Sequence, residues 1–457
     1  MLAKIYSVSP VFIQNILLSI YGYYWRNRRF SGCFKNKLEI FKAHEKFSKN
    51  EWKKYQTLEL RNLLIHAFTT VPYYTALYKK NGFELKDFEK FEIDDLKKLP
   101  YLEKDDLRKH GASELLSTKR EKGQFYASSG STGTPTAIYF SKKTHQTWSA
   151  LYEARVRNWA GVHYKMPRAM IGGRRVLPNS KLKKPFYRYN KAESQAYFSA
   201  YHISETTTID YVKGLFASKS DYLVGYAMSI YLLAKNILKL EIITPKLKAV
   251  LTSSEKLTYE MRLTIEEAFK CKVFDAYSGM EACGLISENS KGELLYSPDS
   301  GILEVIDTEG NAVNNGETGE VISTGFLNYD QPLIRYRIGD RVKLSEEQNG
   351  SMFKIDEIEG RVEDVIIGKN GQQMVRFHGV FLNIKALIMA QVIQQTAELI
   401  IIKLVVENNF DINNEQLIKE RIISQLGAIN IIFEYVSEIE KTKNGKFKAV
   451  ISNLNNA

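Results

Sequence analysis

A run of small hydroxyl residues and glycines, Ser128-Ser-Gly-Ser-Thr-Gly-Thr-Pro-Thr136, is the part of this 457-residue chain best suited to chemistry. Residues of these types let backbone N–H groups approach phosphate oxygens, and their hydroxyls add further donors. The run is not a Walker A loop, because no Gly-Lys-Ser/Thr follows it. Taken alone, it is also typical of a plain hairpin turn between two strands, which the pattern predicts at residues 124–127 and 137–140.

Five later segments carry charged residues, and three of them also carry an aromatic residue. They are Thr-Ser-Ser-Glu at 252–255, Ala-Tyr-Ser-Gly-Met-Glu at 276–281, Pro-Leu-Ile-Arg-Tyr-Arg-Ile-Gly-Asp at 332–340, Gly-Arg-Val-Glu-Asp-Val-Ile-Ile at 360–367 and Glu-Lys-Thr-Lys-Asn-Gly-Lys-Phe-Lys at 440–448. Each has an ordinary interpretation by itself. The first segment is also typical of a helix cap, and the last is also typical of a solvated turn. Arg335 and Arg337 are also typical of ion pairs on the face of a strand.

In this order the segments resemble the acyl-adenylate-forming superfamily. The Ser/Thr/Gly loop is similar to the superfamily's phosphate-binding signature, and Thr136, in place of the usual lysine, resembles its phenylacetate–coenzyme A ligase branch. Met280 and Ala449 depart from the superfamily pattern. Three segments resemble the CapK-type branch, which is associated with capsular and other surface polysaccharide synthesis in bacteria: Lys184-Pro-Phe-Tyr-Arg-Tyr-Asn190, Ser199-Ala-Tyr-His202 and residues 225–234.

The resemblance implies how the segments would hold ATP. The phosphate-binding loop would contribute Ser128, Ser129, Gly130, Ser131, Thr132, Gly133 and Thr134. The other nucleotide contacts would be Ser254 and Glu255 beside the adenine, Tyr277 stacked on it, and Asp340 and Arg361 on the ribose. A carboxylate such as Asp340 has two oxygens that can accept from both ribose hydroxyls.

The resemblance also implies which residues serve the reaction. Glu281 would help to hold Mg²⁺, a cation that prefers carboxylate oxygens. Lys446 would be catalytic, because a flexible cation can neutralise charge at the α-phosphate as pyrophosphate leaves. Either Glu363 or Asp364 would act as the hinge between two domains. His202 and Tyr226 are candidates for the wall of the acid pocket, and both are equally well interpreted as core aromatics.

Strand and helix patterns alternate between residues 199 and 285, which predicts an α/β fold with parallel strands. The pattern also predicts helices at 51–68, 87–99 and 143–159. Near the C-terminus it predicts strands at 399–406 and 429–436, flanking a helix that Asn414 caps and that ends at residue 426. We expect a large nucleotide- and acid-binding domain of mixed sheets and helices at 1–359, with a helical segment at 1–110, and a small mobile α+β domain at 360–457.

Charge and cysteine content limit the functional classes. The formal net charge is +12, and residues 155–191 hold 11 basic and no acidic side chains. That stretch predicts either a solvated surface or attraction of anions such as ATP, coenzyme A or lipid head groups. No nucleic-acid recognition module is visible. The three cysteines lie far apart, which argues against a disulfide framework and a cysteine zinc site and fits the cytoplasm.

An apolar run at residues 11–25 precedes Arg26, Arg28 and Arg29. It is short for a membrane span, which needs about 20 residues, and no small-residue cleavage site follows it. Apolar side chains recur as a helical stripe at Ile13, Ile16, Leu17, Ile20 and Tyr24. We expect a helix packed on the domain, with a helix lying on the inner face of the membrane as the alternative.

These features predict ATP-dependent adenylation of a carboxylic acid, followed by acyl transfer to coenzyme A or to an amine or hydroxyl acceptor in surface polysaccharide biosynthesis. A carboxylate is already ionised near neutral pH, so no general base is needed. Two alternatives remain: a non-catalytic scaffold of the same fold, suggested by Thr136, Met280 and Ala449, and a membrane-surface acyltransferase. A P-loop kinase is disfavoured, because no lysine follows Gly133.

Overall fold

The computed structural model describes residues 6–127, 136–173, 184–200, 202–358, 366–369, 372–374, 378–381, 384–439 and 450–454. Helices occupy most of the chain before the first strand: α1 (Val11–Phe30), α2 (Phe34–His44), α3 (Lys49–Thr70), α4 (Pro72–Lys80), α5 (Leu85–Glu89) and α6 (Lys104–His110). A capping box begins α3, where Ser48 accepts from the Glu51 amide and the Glu51 carboxylate accepts from the Ser48 amide. This helix confirms the one predicted at 51–68.

The single helix predicted at 87–99 is wrong. The α5 helix ends at Glu89, and a 3₁₀ turn, Ile93–Lys98, follows it. The break has a local cause, because the Asp95 carboxylate accepts a 2.9 Å hydrogen bond from the Glu92 backbone amide. That bond supplies a new N-terminal cap, so the chain starts a second turn instead of extending the first.

Two antiparallel strands, β1 (Gly123–Ala127) and β2 (Ala137–Ser141), form a hairpin in which Ala127 pairs with Ala137. The predicted Ser/Thr/Gly loop joins these paired ends. The next helix, α7 (Lys142–Tyr152), continues into a π turn at Glu153–Arg157. The helix predicted at 143–159 is therefore confirmed only in its first part.

A twelve-stranded sheet dominates the part of the chain that the structure describes. Its strands are β3 (Arg168–Gly172), β4 (Tyr187–Asn190), β5 (Gln195–Ser199), β6 (Tyr222–Tyr226), β7 (Ala249–Ser253), β8 (Val273–Ser278), β9 (Leu285–Glu288), β10 (Leu294–Tyr296), β11 (Gly301–Ile306), β12 (Thr318–Gly325), β13 (Tyr336–Leu344) and β14 (Lys354–Ile358). Their spatial order is β11-β12-β13-β14-β10-β9-β8-β7-β6-β3-β5-β4. The consecutive strands from β8 to β5 are parallel, as the alternating pattern predicted.

Helices α8 (Glu205–Ala217), α9 (Ala227–Lys239) and α10 (Tyr259–Phe269) connect the parallel strands. Their buried faces share one apolar cluster with the strands, built around residues such as Leu223, Ile230 and Val250. A second cluster joins α3 and α4 to the β1–β2 hairpin and to β13. A third cluster packs α2 and α7 against the parallel strands through residues such as Phe34, Leu151 and Leu251. Because Val250 and Leu251 are neighbours in β7 and belong to different clusters, the parallel strands are covered on both faces.

The C-terminal elements are β15 (Ile366–Ile367), β16 (Gln373–Met374), α11 (His378–Phe381), β17 (Leu387–Thr396), β18 (Leu399–Val406), α12 (Asn413–Leu426), β19 (Asn430–Tyr435) and β20 (Val450–Ser452). Four of the strands form a sheet in the order β19-β18-β17-β20. The predicted strand at 399–406 is confirmed. The prediction that Asn414 caps the helix is wrong, because α12 begins one residue earlier and Asp411 accepts from the Asn413 amide at 2.9 Å.

The basic stretch at 155–191 is not simply a solvated surface. Arg155, Arg157, Arg168 and Arg188 are all buried. Arg155, fully buried, donates to Asp299 at 2.6 Å and to Glu45 at 2.8 Å. The positive charge in this stretch is therefore partly neutralised by acidic residues more than one hundred positions away in the chain.

Candidate active site

The carboxyl ends of the parallel strands bring several predicted site residues to one edge of the sheet. Tyr226 is the last residue of β6, Ser254 directly follows β7, Tyr277 lies near the end of β8 and His202 follows β5. In open α/β sheets, ligands bind in the crevice beyond the carboxyl ends of the strands. Four strand-to-strand steps separate β5 from β8, so these residues are spread along about 19 Å of the sheet edge.

Tyr277 and Asp340 are in direct contact, although they come from different segments. The Tyr277 hydroxyl donates a 2.7 Å hydrogen bond to Oδ2 of Asp340, which lies on β13. Burial, and then the neighbouring Asp340 carboxylate, raise the pKa of the Tyr277 phenol well above its usual value. The phenol is therefore protonated and acts as the donor, and it holds the carboxylate at the edge formed by the parallel strands.

Ser254 and Glu255 form the turn after β7. Ser254 has a φ of 74°, a left-handed conformation that is uncommon for a residue other than glycine. The Glu255 carboxylate accepts a 2.9 Å hydrogen bond from the Met228 amide in the first turn of α9. Glu255 thus fixes the start of α9 next to Tyr226, a positioning contact that the sequence pattern did not reveal.

Glu281 is a buried carboxylate whose surroundings differ from those of other buried acids. Its exposed fraction is 8%, and among the described residues no side chain or amide forms a hydrogen bond or ion pair with it. In contrast, buried Asp299, Glu153 and Glu288 each contact an arginine. An uncompensated carboxylate close to the Tyr277–Asp340 pair suits a cation that arrives with a ligand.

His202 is packed inside the protein with one ring nitrogen satisfied. Its Nδ1 lies 2.7 Å from the Ser199 hydroxyl, and its ring stacks on Phe186. Its Nε2 is buried without a hydrogen-bond partner in the described structure. Burial lowers the pKa of His202 to about 4, so the imidazole is neutral near neutral pH. A neutral ring with an unused nitrogen can serve as one wall of a pocket for a polar substrate.

The hairpin that carries the predicted phosphate-binding loop is fastened to the segment before Asp340. Gln331 accepts from the Tyr139 amide at 2.7 Å, and Asn328 donates to the Tyr139 carbonyl at 2.9 Å. Asp330 accepts from the Thr144 hydroxyl at 2.7 Å. These contacts tie β2 to the chain that leads into β13. The sequence pattern gave no sign of this clamp, which depends on residues almost two hundred positions apart.

Helix α1 supports the same hairpin from the other side. Arg28 donates to the Phe140 carbonyl at 2.8 Å and to Nδ1 of His145 at 3.2 Å. The Trp25 ring packs against Tyr126, with 6.0 Å between the ring centroids. Both strands of the hairpin are therefore braced by α1, at Tyr126 next to the predicted phosphate-binding loop and at Phe140 near the far end of β2.

Several predicted site residues lie outside the described residues: Ser128, Ser129, Gly130, Ser131, Thr132, Gly133, Thr134, Arg361, Glu363, Asp364 and Lys446. Their assigned roles stay predictions. The ion-pair interpretation of the two arginines at 335 and 337 is confirmed, because Arg335 contacts Glu304 at 2.7 Å and Arg337 contacts Glu320 at 2.6 Å. Thr136 is fully buried, so the longer lysine would not fit there without rearrangement.

Known proteins resemble this chain both in its C-terminal part and over its whole length. Residues 366–453 match the CapK C-terminal domain. The chain is 29% identical to Protein CapK of Staphylococcus aureus over 471 residues, which covers 99% of this chain and 100% of that protein. The similarity to that protein extends over the full length of both chains. The CapK-type resemblance of the sequence is thereby confirmed.

Relatives outside the CapK branch support the fold. A phenylacetate–coenzyme A ligase of Aromatoleum evansii is 25% identical over 71% of this chain and 73% of its own length. The crystal structure of 2-hydroxyisobutyryl-CoA ligase in complex with 2-HIB-AMP and CoA matches with a TM-score of 0.58 and 17% identity, covering 90% of this chain and 91% of that chain. This chain has the fold of AMP-forming acid–CoA ligases, which confirms the predicted α/β class.

Proposed function

We propose that the protein activates a carboxylic acid with ATP and then passes the acyl group to an acceptor. The observation that carries this proposal is the 2.7 Å contact between Tyr277 and Asp340 at the carboxyl ends of the parallel strands. It joins two motifs for which the resemblance implies adenine and ribose contacts. The relatives named as phenylacetate–coenzyme A ligases support the same class of reaction.

In the proposed first step, an oxygen of the substrate carboxylate attacks the α-phosphorus of ATP. A P–O bond forms to give the acyl-adenylate, and the bond to the leaving pyrophosphate breaks. No proton has to be removed, because the acid is already ionised. The enzyme's contribution is positioning and charge neutralisation. Asp340 would hold the ribose, and the loop at 128–134 would hold the phosphates. Lys446 would neutralise the charge that develops as pyrophosphate departs.

In the proposed second step, a nucleophile gives up its proton and attacks the acyl carbonyl carbon, and the bond from that carbon to the phosphate oxygen of AMP breaks as AMP leaves. The nucleophile is the thiol of coenzyme A, or an amine or hydroxyl of a sugar if the product enters surface polysaccharide synthesis. The CapK relative supports that setting. We also propose that residues 360–457 form the small mobile domain and that Glu363 or Asp364 is its hinge, so that one domain serves both steps.

The three cysteines are free, which supports a reducing compartment such as the cytoplasm.

Mg²⁺ fits the residues present at this site. Glu281 offers a buried carboxylate with no protein counter-ion in the described structure. The residues that the structure describes contain no group of three or more His, Cys, Asp or Glu that could hold a metal. Mg²⁺ is commonly bound by one or two carboxylates together with substrate phosphates, so a single glutamate is sufficient. The ion would supply charge neutralisation at the phosphates.

The Glu281→Gln variant is expected to bind MgATP more weakly while it binds metal-free ATP as well as the parent does. The substitution keeps the shape of the side chain and removes the charge that would hold the cation. We expect the Mg²⁺ concentration for half-maximal nucleotide binding to rise at least about tenfold. Calorimetric titration of ATP at several Mg²⁺ concentrations measures this. The exposed control Glu309→Gln should behave like the parent, and an unchanged Mg²⁺ requirement in Glu281→Gln would remove its metal role.

The proposed reaction is tested by pyrophosphate release from ATP with a panel of carboxylic acids. We expect release that depends on one class of acid and AMP formation in equal amount. The alternative of a non-catalytic scaffold is favoured by the departures at Thr136, Met280 and Ala449. It predicts that ATP binds, as seen by calorimetry, without turnover for any acid. A protein that binds no nucleotide at all would contradict both proposals.

A further inference from the structure

Helix α1 packs on the protein through a face that combines polar residues with Trp25, and it turns a row of apolar side chains outward. Its buried residues are Gln14, Gly22 and Arg28. Gln14 accepts a hydrogen bond from Arg188, and Asn15 accepts one from the Tyr189 amide at 2.9 Å. The expectation that this helix packs on the domain is confirmed. The stripe predicted from its apolar residues, however, lies largely on the opposite side.

The exposed positions of α1 between residues 12 and 24 all carry large apolar or aromatic side chains. They are Phe12, Ile16, Ile20, Tyr21, Tyr23 and Tyr24, each at least half exposed. The spacing of four from Phe12 to Ile16, Ile20 and Tyr24 places these side chains on one face of the helix. At 1.5 Å per residue, this apolar stripe is about 18 Å long. A continuous exposed apolar stripe of this kind marks an interaction surface.

The chain segment that carries the stripe has charge of one sign, and Glu193, which pairs with Arg29, is buried. Residues 1–38 contain six lysines and arginines and no Asp or Glu, and the first acidic residue of the chain is Glu39. Arg26 and Lys35 are exposed just beyond the stripe. Exposed Lys191 lies alongside, because its backbone amide donates to the Ser19 hydroxyl at 2.9 Å. The complementary surface must therefore be apolar and bear negative charge.

We propose that the apolar stripe of α1 binds the surface of a membrane that contains anionic lipids. An amphipathic helix of this composition lies in the plane of the membrane, with its apolar face among the upper acyl chains and its cations at the head groups. Tyrosine rings are favoured at that depth. A second copy of the chain fits less well, because its own stripe is also flanked by cations and offers no negative charge. In the described residues no helix is long and apolar enough to cross a bilayer.

The proposal is independent of the reaction and is tested by sedimentation of the full-length protein with vesicles. We expect binding to vesicles of phosphatidylcholine with 30% phosphatidylglycerol and much weaker binding to phosphatidylcholine alone. Each cation at the surface contributes about fivefold in affinity, so the double variant Arg26→Gln/Lys35→Gln should bind anionic vesicles about 25-fold more weakly. Failure of the parent protein to bind anionic vesicles at low salt would overturn the proposal.

The stripe itself is tested by Ile16→Ser/Ile20→Ser, which should reduce vesicle binding at least tenfold. Both side chains are exposed, so the melting temperature and nucleotide binding should match those of the parent. The matched control is Ile243→Ser/Ile412→Ser, two exposed isoleucines elsewhere that should leave vesicle binding unchanged. Equal binding by the stripe variant would contradict the proposal. The proposal would also be contradicted if light scattering showed the parent to be a dimer and the stripe variant to be a monomer that still binds vesicles.

Discussion

The Lys446→Ala variant is expected to lose acyl-adenylate formation while it keeps its affinity for ATP. The proposed role of Lys446 is to neutralise charge that grows at the α-phosphate as pyrophosphate leaves, so its contribution belongs mainly to the transition state. Removal of one such group costs about 10²- to 10³-fold in rate. Pyrophosphate release in a single turnover measures the rate, and calorimetry with ATP measures the affinity.

Two controls separate this role from a general effect of charge in the loop. Lys448→Ala removes a second cation two residues away and should alter the rate by no more than about twofold. Supplied with synthetic acyl-adenylate and the acceptor, Lys446→Ala should still transfer the acyl group, because that step releases AMP and no pyrophosphate. An adenylation rate in Lys446→Ala equal to that of the parent would remove its catalytic assignment.

The Asp340→Ala variant is expected to bind ATP about 10²-fold more weakly. Its carboxylate is held at the site by the Tyr277 hydroxyl and has one oxygen in that bond. In the proposed complex it also accepts hydrogen bonds from the ribose, and bonds to a charged group contribute about 1.5–3 kcal/mol each. The measurement is the dissociation constant for ATP at fixed Mg²⁺.

The comparison with 2′,3′-dideoxy-ATP makes this test specific. The parent should prefer ATP over the dideoxy nucleotide, and Asp340→Ala should bind the two with similar affinity. Tyr277→Phe removes the phenolic donor but keeps the carboxylate, so it should still discriminate between them. If Asp340→Ala retained the full preference for ATP, the ribose contact would belong to another residue.

Local patterns predicted the fold elements well where local interactions decide them. The strand at 399–406 appears at its predicted bounds because hydrophobic residues such as Ile400, Ile402 and Leu404 line one buried face. The break between α5 and the following 3₁₀ turn escaped prediction, because a single carboxylate, Asp95, recaps the chain. Periodicity reports which residues are apolar, and it does not report which polar group satisfies a backbone amide.

Long-range polar pairs account for what the sequence could not predict. Arg155 is buried because Asp299 lies opposite it, and Gln14 faces inward because Arg188 is there. Neither partner is visible from a local window. At the site, the order of the motifs predicted that Tyr277 and Asp340 serve one ligand, and the structure brings them together. The positioning role of Glu255 and the clamp of the hairpin by the residues before β13 depend on contacts between distant segments, which no local pattern shows.

The outer position of α1 has a consequence for shortened forms of the protein. The helix covers β4, an edge strand of the large sheet, and the Asn15 side chain accepts a hydrogen bond from the Tyr189 amide of that strand. A fragment beginning after residue 30 would leave that amide bare and would deprive buried Arg188 of its glutamine partner. Bare strand edges recruit strands from other molecules. Such a fragment would tend to self-associate, so its loss of function would say little about what α1 contributes in the intact protein.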